Sequence, residues 1–234
     1  MTELTVGDIL GPGGLIAQSL PNYEQRDEQL QMATAVASAF EDNQHLLAEA
    51  GTGVGKSFAY LAPAILRAVN NKQRVVISTY TIALQEQLIA KDIPFLQQVL
   101  PMRFSAVLGK GRQNYICFRR LWQALKNAAK LLSSQEQIDQ LNDIAEWAQS
   151  NQTGCLQDID FQVEPAVWEK VRSESGLCRG QKCEQYAGCP LQAARKKMLE
   201  ANILVVNHAM FFSDLALKSE EAELLGKYDL VVLD

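Results

Sequence analysis

The sequence predicts an α/β fold in which a parallel sheet is flanked by helices. Short apolar runs alternate with segments of helical periodicity, a glycine-rich turn joins one run to the next helix, and two more apolar runs follow near the end of the 234 residues. Alternation of strands and helices at this pitch is typical of parallel α/β sheets. With 47% hydrophobic residues, the chain also has enough apolar material to bury a core.

The first predicted elements surround the glycine-rich turn. Apolar residues recur at helical spacing from Asp27 onward, which predicts a helix of about four turns. The run HLLAEA at 45–50 predicts a strand. The segment 56–71 predicts a helix that Pro63 could kink.

The next segments repeat this pattern. The β-branched run at 74–80 predicts a strand, 82–100 predicts an amphipathic helix, and 104–110 predicts a third strand. The runs at 201–208 and 228–234 predict the strands that complete the sheet.

Between these two groups of strands the alternation breaks. From Arg112 to about Lys197 the chain shows helical patterns and cysteine-containing loops, with no strand pattern. We therefore predict three parts: 1–111 as the first part of the α/β domain, 112–198 as a mostly helical insertion, and 199–234 as the return to the α/β domain.

The N-terminus and the composition predict a cytoplasmic protein with no membrane partner, which we expect to be a monomer. The first residues include the acidic Glu3 and lack the basic start and long apolar run of a signal peptide. No apolar run approaches the roughly 18 residues of a spanning helix. Because disulfides are rare in the cytoplasm, clustered cysteines indicate metal binding or catalysis.

The net charge of −5 weakly disfavours nucleic acid, but the charge is unevenly distributed. Residues 103–130 contain seven basic side chains and no Asp or Glu, with Tyr115, Phe118 and Trp122 among them. Cations along the phosphates and rings that stack on bases suit single-stranded DNA. The aromatic residues also fall at helical spacing and could instead form the core of the insertion. The contacts predicted in this basic stripe are Lys110, Arg112, Tyr115, Arg119 and Arg120.

The turn AEAGTGVGKS at 48–57 lies where a phosphate-binding loop belongs. It fits the consensus G-x-x-x-x-G-K-S/T, with Ala50 in the first glycine position. The glycines let backbone N–H groups and the helix N-terminus face the phosphates, Lys56 would reach the β- and γ-phosphates, and Ser57 would bind Mg²⁺. The predicted ATP-binding residues here are Gly51, Thr52, Gly53, Val54, Gly55, Lys56 and Ser57.

A nucleotide site of this class also needs a carboxylate at the end of a neighbouring strand to hold the metal. The run YDLVVLD ends in Asp234. We predict that Asp234 is the second protein ligand of Mg²⁺ and that it is catalytic together with Lys56.

Three of the five cysteines lie in one short segment, CRGQKCEQYAGC, from Cys178 to Cys189. In a cytoplasmic chain such thiolates can hold a zinc ion or an iron–sulfur cluster, or the residues can simply be buried. The gaps between them are wider than the two-residue spacing common in zinc ribbons. The residues alone leave zinc and a cluster almost equally favoured.

Several separated segments resemble the XPD/DinG group of superfamily 2 DNA helicases, above all its DinG- and YoaA-like bacterial members. They occur in the family's order: YEQRDEQLQM, AEAGTGVGKS, ISTYTIALQEQL, GKGRQNYIC, the C-x4-C-x5-C run, ANILVVNHAMFF and DLVVLD. The resemblance extends over nearly the whole chain. It implies a RecA-like motor domain with a [4Fe–4S] cluster in its insertion.

The resemblance implies which residues have these roles. It assigns the cluster to Cys117, Cys178, Cys183 and Cys189, and leaves Cys155 without a counterpart. Gln29 matches the position that reads adenine, with Arg26 beside it. Thr79 and Thr81 match the segment that touches the DNA backbone, and Asn207 and His208 lie in a further family motif.

The resemblance implies the N-terminal portion of an ATP-dependent helicase that moves 5′ to 3′ and acts on single-stranded/duplex DNA junctions in repair or replication. The family continues past the position of Asp234, so we expect these 234 residues to bind nucleotide weakly and not to unwind DNA. YoaA-like members also imply a replication clamp-loader subunit as a partner. Two alternatives remain open: a P-loop NTPase of another class with a zinc-bound lid, and a non-enzymatic DNA- or partner-binding module.

Overall fold

Two units divide the chain in the computed structural model, which describes residues 3–20, 23–51, 53–218 and 224–234. The α/β unit comprises Met1–Gly109 and Met198–Asp234, and the helical unit comprises Lys110–Lys197. In chain order the helices are α1 (Val6–Leu10), α2 (Leu15–Ser19), α3 (Asp27–Glu41), α4 (Lys56–Asn70), α5 (Ile82–Gln87), α6 (Ile93–Val99), α7 (Phe118–Lys126), α8 (Ala128–Leu131), α9 (Gln135–Ser150), α10 (Pro165–Val171), α11 (Pro190–Glu200) and α12 (His208–Lys218).

Within the described residues, four parallel strands form the sheet of the α/β unit. They are β1 (Val75–Thr79), β2 (Ala106–Leu108), β3 (Ile203–Asn207) and β4 (Leu230–Leu233), in the order β2-β3-β1-β4 across the sheet. In the register of β1, Ser78 is opposite Val206 of β3 and Leu233 of β4. The sheet confirms the predicted parallel α/β fold, and each of its strands lies inside a predicted strand segment.

The strand predicted at 45–50 is wrong. These residues join no β-ladder, and Leu47 is 99% exposed. An apolar run becomes a strand only when a neighbouring backbone satisfies its N–H and C=O groups. This run forms no ladder with β4, the strand that pairs with β1.

The predicted helices of the α/β unit are confirmed as α3 and α4, and Pro63 lies buried inside α4. The predicted helix at 82–100 consists of α5 and α6 joined by a π-helical turn, Leu88–Asp92. Pro94, at the start of α6, has no N–H to donate, and the wider π turn precedes it. Helix α12, which follows β3 directly, was not predicted from the sequence.

Apolar side chains cover both faces of the sheet. Val75 and Ile77 pack into the larger core, which includes residues from helices α1 to α6, whereas Val76 and Leu204 pack into a second cluster with Phe211 and other residues. Successive strand side chains point to opposite faces, so both faces of these strands need apolar residues. This explains why the strands read as continuous apolar runs and do not alternate.

The start of β1 is held by the guanidinium of Arg74. It donates to the carbonyl oxygens of Leu225 (2.6 Å), Lys227 (2.8 Å) and Ala201 (3.2 Å), and also to that of Met198 at 2.5 Å. Burial lowers the pKa of Arg74, while Asp214 and Asp229 oppose that shift. One planar cation thus joins β1 to the segments that precede β3 and β4.

The helical unit has its own core. Leu121 of α7, Ile144 of α9 and Val167 of α10 are buried together with the side chain of Trp168. Among the described residues, no helix combines the length and apolar character needed to cross a membrane.

We expect Arg74→Lys to destabilise the chain by about 3 kcal/mol, because one ammonium cannot reach all of the carbonyl groups and leaves several unpaired. Urea denaturation followed by circular dichroism measures the difference. Arg103→Lys, an exposed substitution in the same unit, is the control and should change stability by less than about 0.5 kcal/mol. Equal stability of the two variants would contradict the role given to Arg74.

Candidate functional site

The phosphate-binding loop leads directly into α4, which begins at Lys56. Gly55 precedes the helix with φ 83° and ψ 40°, a left-handed conformation that other residues rarely adopt, and Gly53 has φ 89°. A Cβ at Gly55 would collide with the side-chain amide of Gln29. Thr52, another predicted loop residue, lies outside the described residues.

Polar side chains hold this loop through its carbonyl groups. Lys56 Nζ donates to the Ala50 carbonyl oxygen at 2.9 Å, and Gln29 Nε2 donates to the Gly55 carbonyl oxygen at 2.9 Å. The Arg26 guanidinium donates to the Gly53 carbonyl oxygen. The sequence assigned Gln29 and Arg26 to the base-binding part of the site, and the structure adds that both also touch the loop.

A cleft of about 500 Å³ opens beside the loop. Its lining comprises Leu20, Tyr23, Glu24, Arg26, Gln29, Gly55 and Phe58. The Tyr23 hydroxyl donates to Gln29 Oε1 at 2.8 Å, which fixes the orientation of the amide. The aromatic rings and the side-chain amide in this lining can offer stacking and hydrogen bonds to a nucleobase. Tyr23 and Phe58 were not singled out from the sequence, although Tyr23 is part of the segment YEQRDEQLQM.

Ser57 and Asp234 face a common buried group. Asp234 follows β4, and its N–H donates to the Ser78 carbonyl oxygen at 2.9 Å, which fixes the end of that strand against β1. Ser57 and Asp234 both lie close enough to the Tyr60 hydroxyl to shift its pKa. A hydroxyl and a carboxylate oxygen are ligands that Mg²⁺ accepts, so the donor set at this place fits the metal.

The carboxyl ends of β1 and β3 carry the other segments assigned by resemblance. Thr79 is fully buried, and Thr81 is exposed and caps α5 by accepting a hydrogen bond from the Leu84 N–H at 3.2 Å. Ser78 Oγ lies 2.7 Å from His208 Nδ1, and Asn207 Oδ1 accepts from the Met210 N–H at 2.8 Å. Of the two threonines, only Thr81 is exposed, so only its side chain is accessible to a ligand.

The cysteines assigned to the cluster lie in the helical unit. All five cysteines of the chain are free thiols. Cys189 interacts electrostatically with Cys117 and Cys178. No group of three or more His, Cys, Asp or Glu side chains within the described ranges is close enough to hold a single metal ion. Thiols are ligands that both zinc and an iron–sulfur cluster accept, so the chemistry of this donor set fits either group.

Cys189 also has donors suited to a thiolate. Burial raises the pKa of its thiol, whereas the backbone N–H groups of Gln192 and Leu191, at the start of α11, lower it. Hydrogen bonds from backbone N–H groups to sulfur are one of the means by which proteins stabilise cluster thiolates. Cys155, the unassigned thiol, is buried, and Lys110 Nζ lies 3.4 Å from its sulfur.

The basic stripe is not uniformly available to a ligand. Arg120 donates to the carbonyl oxygens of Arg172 (2.6 Å) and Glu169 (2.7 Å), and forms an ion pair with Glu174 at 2.9 Å. Arg119 donates to the Leu177 carbonyl oxygen at 2.6 Å. Arg120 therefore joins α7 to the end of α10 and the residues after it. Its guanidinium is already bound to these partners and is not available to a ligand.

Tyr115 is 6% exposed and packs with Cys155 and Leu191. Burial raises the pKa of its phenol to about 12. Its ring is enclosed in the helical unit and is not accessible to a base. Burial lowers the pKa of Arg195, and the nearby charge of Arg112 lowers it further.

A second cleft, of about 550 Å³, lies along α7. It is lined by Arg119, Trp122, Gln123, Leu125, Lys126, Arg179, Cys183, Glu184 and Gln185. Trp122 is 40% exposed, whereas Leu121 beside it is buried in the core. The alternative that this segment forms the core of the insertion therefore holds for Leu121. The indole of Trp122, in contrast, remains at the surface. Arg179 lies in a loop far along the chain from α7, and the sequence did not predict that it lines this cleft.

Comparison with protein families gives one match. The sequence model of the DEAD/DEAH box helicase family matches residues 28–163, which is more than half of the chain.

Individual relatives are similar over nearly the whole chain. It is 35% identical over 234 residues to the ATP-dependent DNA helicase YoaA of Haemophilus influenzae, and 37% identical over 232 residues to that of Escherichia coli. It is 34% identical over 227 residues to the ATP-dependent helicase DinG of Mycobacterium tuberculosis. These matches cover 99%, 97% and 90% of this chain but 36%, 35% and 34% of the relatives. The chain therefore spans about a third of their length.

We expect Gly55→Ala to weaken ATP binding more than about tenfold, because the added methyl group meets Gln29 and the backbone must hold a positive φ. Fluorescence titration with a labelled ATP analogue measures the change. Gly7→Ala, in α1 and outside the loop, is the matched control: its Cβ makes only an ordinary contact with the Thr5 hydroxyl at 3.6 Å and its φ is not in the left-handed region. If both variants bind like the wild type, the conformation of Gly55 does not matter for nucleotide binding.

Proposed function

Because the chain belongs to the DEAD/DEAH box helicase family, we propose that it supplies an ATP-binding motor domain of an ATP-dependent DNA helicase. The observation that carries the proposal is the position of three features at one edge of the α/β unit. The base cleft at Gln29, the loop at Lys56 and the pair Ser57–Asp234 lie together, and the loop connects them.

The residues divide the work of binding ATP. Tyr23, Arg26 and Gln29 would hold the base, and the N–H groups at the start of α4 would face the phosphates. Lys56 would leave the Ala50 carbonyl oxygen and place its charge on the β- and γ-phosphates. Ser57 and Asp234 would hold Mg²⁺, which when bound neutralises charge on the phosphate oxygens.

We expect unwinding to require a protein as long as the relatives, because this chain covers about a third of their length. For the 234 residues themselves we propose nucleotide binding without unwinding. ATP binding by the wild-type chain, measured beside Gly55→Ala and its control, tests this part of the proposal. Absence of binding at millimolar ATP would contradict it.

We also propose that the helical unit carries a [4Fe–4S] cluster held by Cys117, Cys178, Cys183 and Cys189. The support comes from the motif resemblance, from four free thiols, and from the N–H donors at Cys189. The cluster would fix loops that have few apolar contacts of their own, since Cys178 and the residues after it are largely exposed.

We expect Cys183→Ser to yield a protein with little iron and without the brown absorbance near ~400 nm that thiolate–iron bonds produce. Anaerobic purification, iron and sulfide analysis and absorbance spectra measure this. Cys155→Ser is the control, because this buried thiol is not among the proposed ligands. A brown Cys183→Ser protein with a full iron content would remove Cys183 from the ligand set, and zinc in the wild type would contradict the cluster itself.

The DNA partner is proposed to be single-stranded DNA bound along the second cleft. Arg119, Lys126 and Arg179 place three cations around the exposed indole of Trp122, against one carboxylate, Glu184. Cations beside an accessible aromatic ring match a chain of phosphates and bases. Arg120 and Tyr115, which the sequence favoured, are left out because one is paired and the other is buried.

Three further proposed properties rest on the family resemblance: movement from 5′ to 3′, action at single-stranded/duplex junctions in repair or replication, and a clamp-loader subunit as partner. We also propose that the protein is a monomer. The bacterial relatives, named as DNA helicases, support a cytoplasmic location.

We expect Trp122→Ala to weaken binding of a single-stranded oligonucleotide by roughly fivefold to a hundredfold, the contribution of stacking one base. Fluorescence anisotropy at low and moderate salt, with and without ATP, measures it. Leu131→Ala is the control, because Leu131 is an exposed apolar residue of the same unit that does not line the cleft. Unchanged binding by Trp122→Ala would exclude this cleft as the contact surface.

A further inference from the structure

Tyr60 is a buried group for which the proposed function gives no role. It lies on α4, one helical turn after Ser57, and is 2% exposed. Its hydroxyl has no hydrogen-bond partner in the part of the chain that the structure describes. A buried hydroxyl without a partner destabilises the folded state, and phenylalanine would fill the same volume without that penalty. A polar atom kept under these conditions calls for an explanation.

The surroundings of the hydroxyl suggest one. Side chains that face it are Asp234 and Ser57, the two residues expected to hold Mg²⁺, with Asp92 at a weaker interaction. A phenol hydroxyl can donate a hydrogen bond, whereas the carboxylate of Asp234 can only accept one.

The geometry of the helix adds a reason for this arrangement. Residues three apart on a helix lie on the same face, so Ser57 and Tyr60 point in one direction. Asp234 is fixed at the backbone, where its N–H donates to the Ser78 carbonyl oxygen and its own carbonyl oxygen accepts from the Tyr80 N–H. A side chain from α4 that meets this carboxylate would connect the helix of the loop to the end of β4.

We propose that Tyr60 is a positioning residue for the metal and nucleotide site: its hydroxyl donates to the Asp234 carboxylate when ATP and Mg²⁺ are bound. This inference rests on the proposed function. The residue acts through Asp234, orienting the carboxylate oxygen that faces the metal, and makes no contact with the nucleotide. Carboxylates that bind metals are commonly held by such outer partners, and losing a partner weakens metal binding.

The test compares ATP affinity in excess Mg²⁺ with ATP affinity in EDTA, using the 234-residue chain and fluorescence titration. Tyr60→Phe should weaken ATP binding about threefold to tenfold in Mg²⁺ and leave the affinity in EDTA unchanged. Its melting temperature without nucleotide should equal or exceed that of the wild type, because the unpaired hydroxyl is gone. Asp234→Asn should show the same loss that depends on Mg²⁺, and the double variant should lose no more than Asp234→Asn alone.

Tyr23→Phe is the matched control. It removes a hydroxyl on the base side of the site, so it should weaken ATP binding by the same factor with and without Mg²⁺. Equal affinities of Tyr60→Phe and wild type in Mg²⁺, an equal loss in both conditions, or additive losses in the double variant would each overturn the inference while the proposed function stands. A wild-type chain that binds no ATP would overturn the proposed function and this inference with it.

Discussion

Everything at the candidate nucleotide site depends on the parallel pairing of β1 with β3 on one side and β4 on the other. Parallel strands end at a common edge, so this pairing brings Ser78, His208 and Asp234 together from distant parts of the chain. Arg74 holds the opposite end of the same strands through their preceding carbonyl groups. With both ends fixed, the loop that enters α4 faces a defined set of side chains.

The loop itself is held by polar side chains that donate to its carbonyl oxygens. Gln29, Arg26 and Lys56 each bind a different carbonyl, at Gly55, Gly53 and Ala50. These three bonds use carbonyl oxygens of the loop, whereas an anion requires N–H groups. The same lysine would then exchange a carbonyl oxygen for phosphate oxygens, so the charge is already near its place of action and little reorganisation is needed.

In the helical unit, structural and binding roles are divided among neighbouring basic residues. Arg120 stabilises the packing of the unit, because it binds a carbonyl oxygen of α10, another just after that helix, and a carboxylate, whereas Trp122 and Lys126 line a cleft open to solvent. A count of charges along the chain treats these side chains alike. Their difference arises from the helix, since residues two apart point to different sides.

Local sequence patterns were enough to predict the parallel α/β class, a phosphate loop before α4 and a strand followed by Asp234. These follow from local patterns: apolar runs, glycines that permit unusual backbone angles, and a lysine at a fixed place. Long-range packing places residues 45–50 outside the sheet, and it buries Tyr115 while leaving Trp122 exposed. It also brings Arg179 to the cleft of Trp122 and Tyr60 to Asp234. Each of these depends on which distant backbone or side chain comes to lie beside the residue, and a local pattern carries no information about that neighbour.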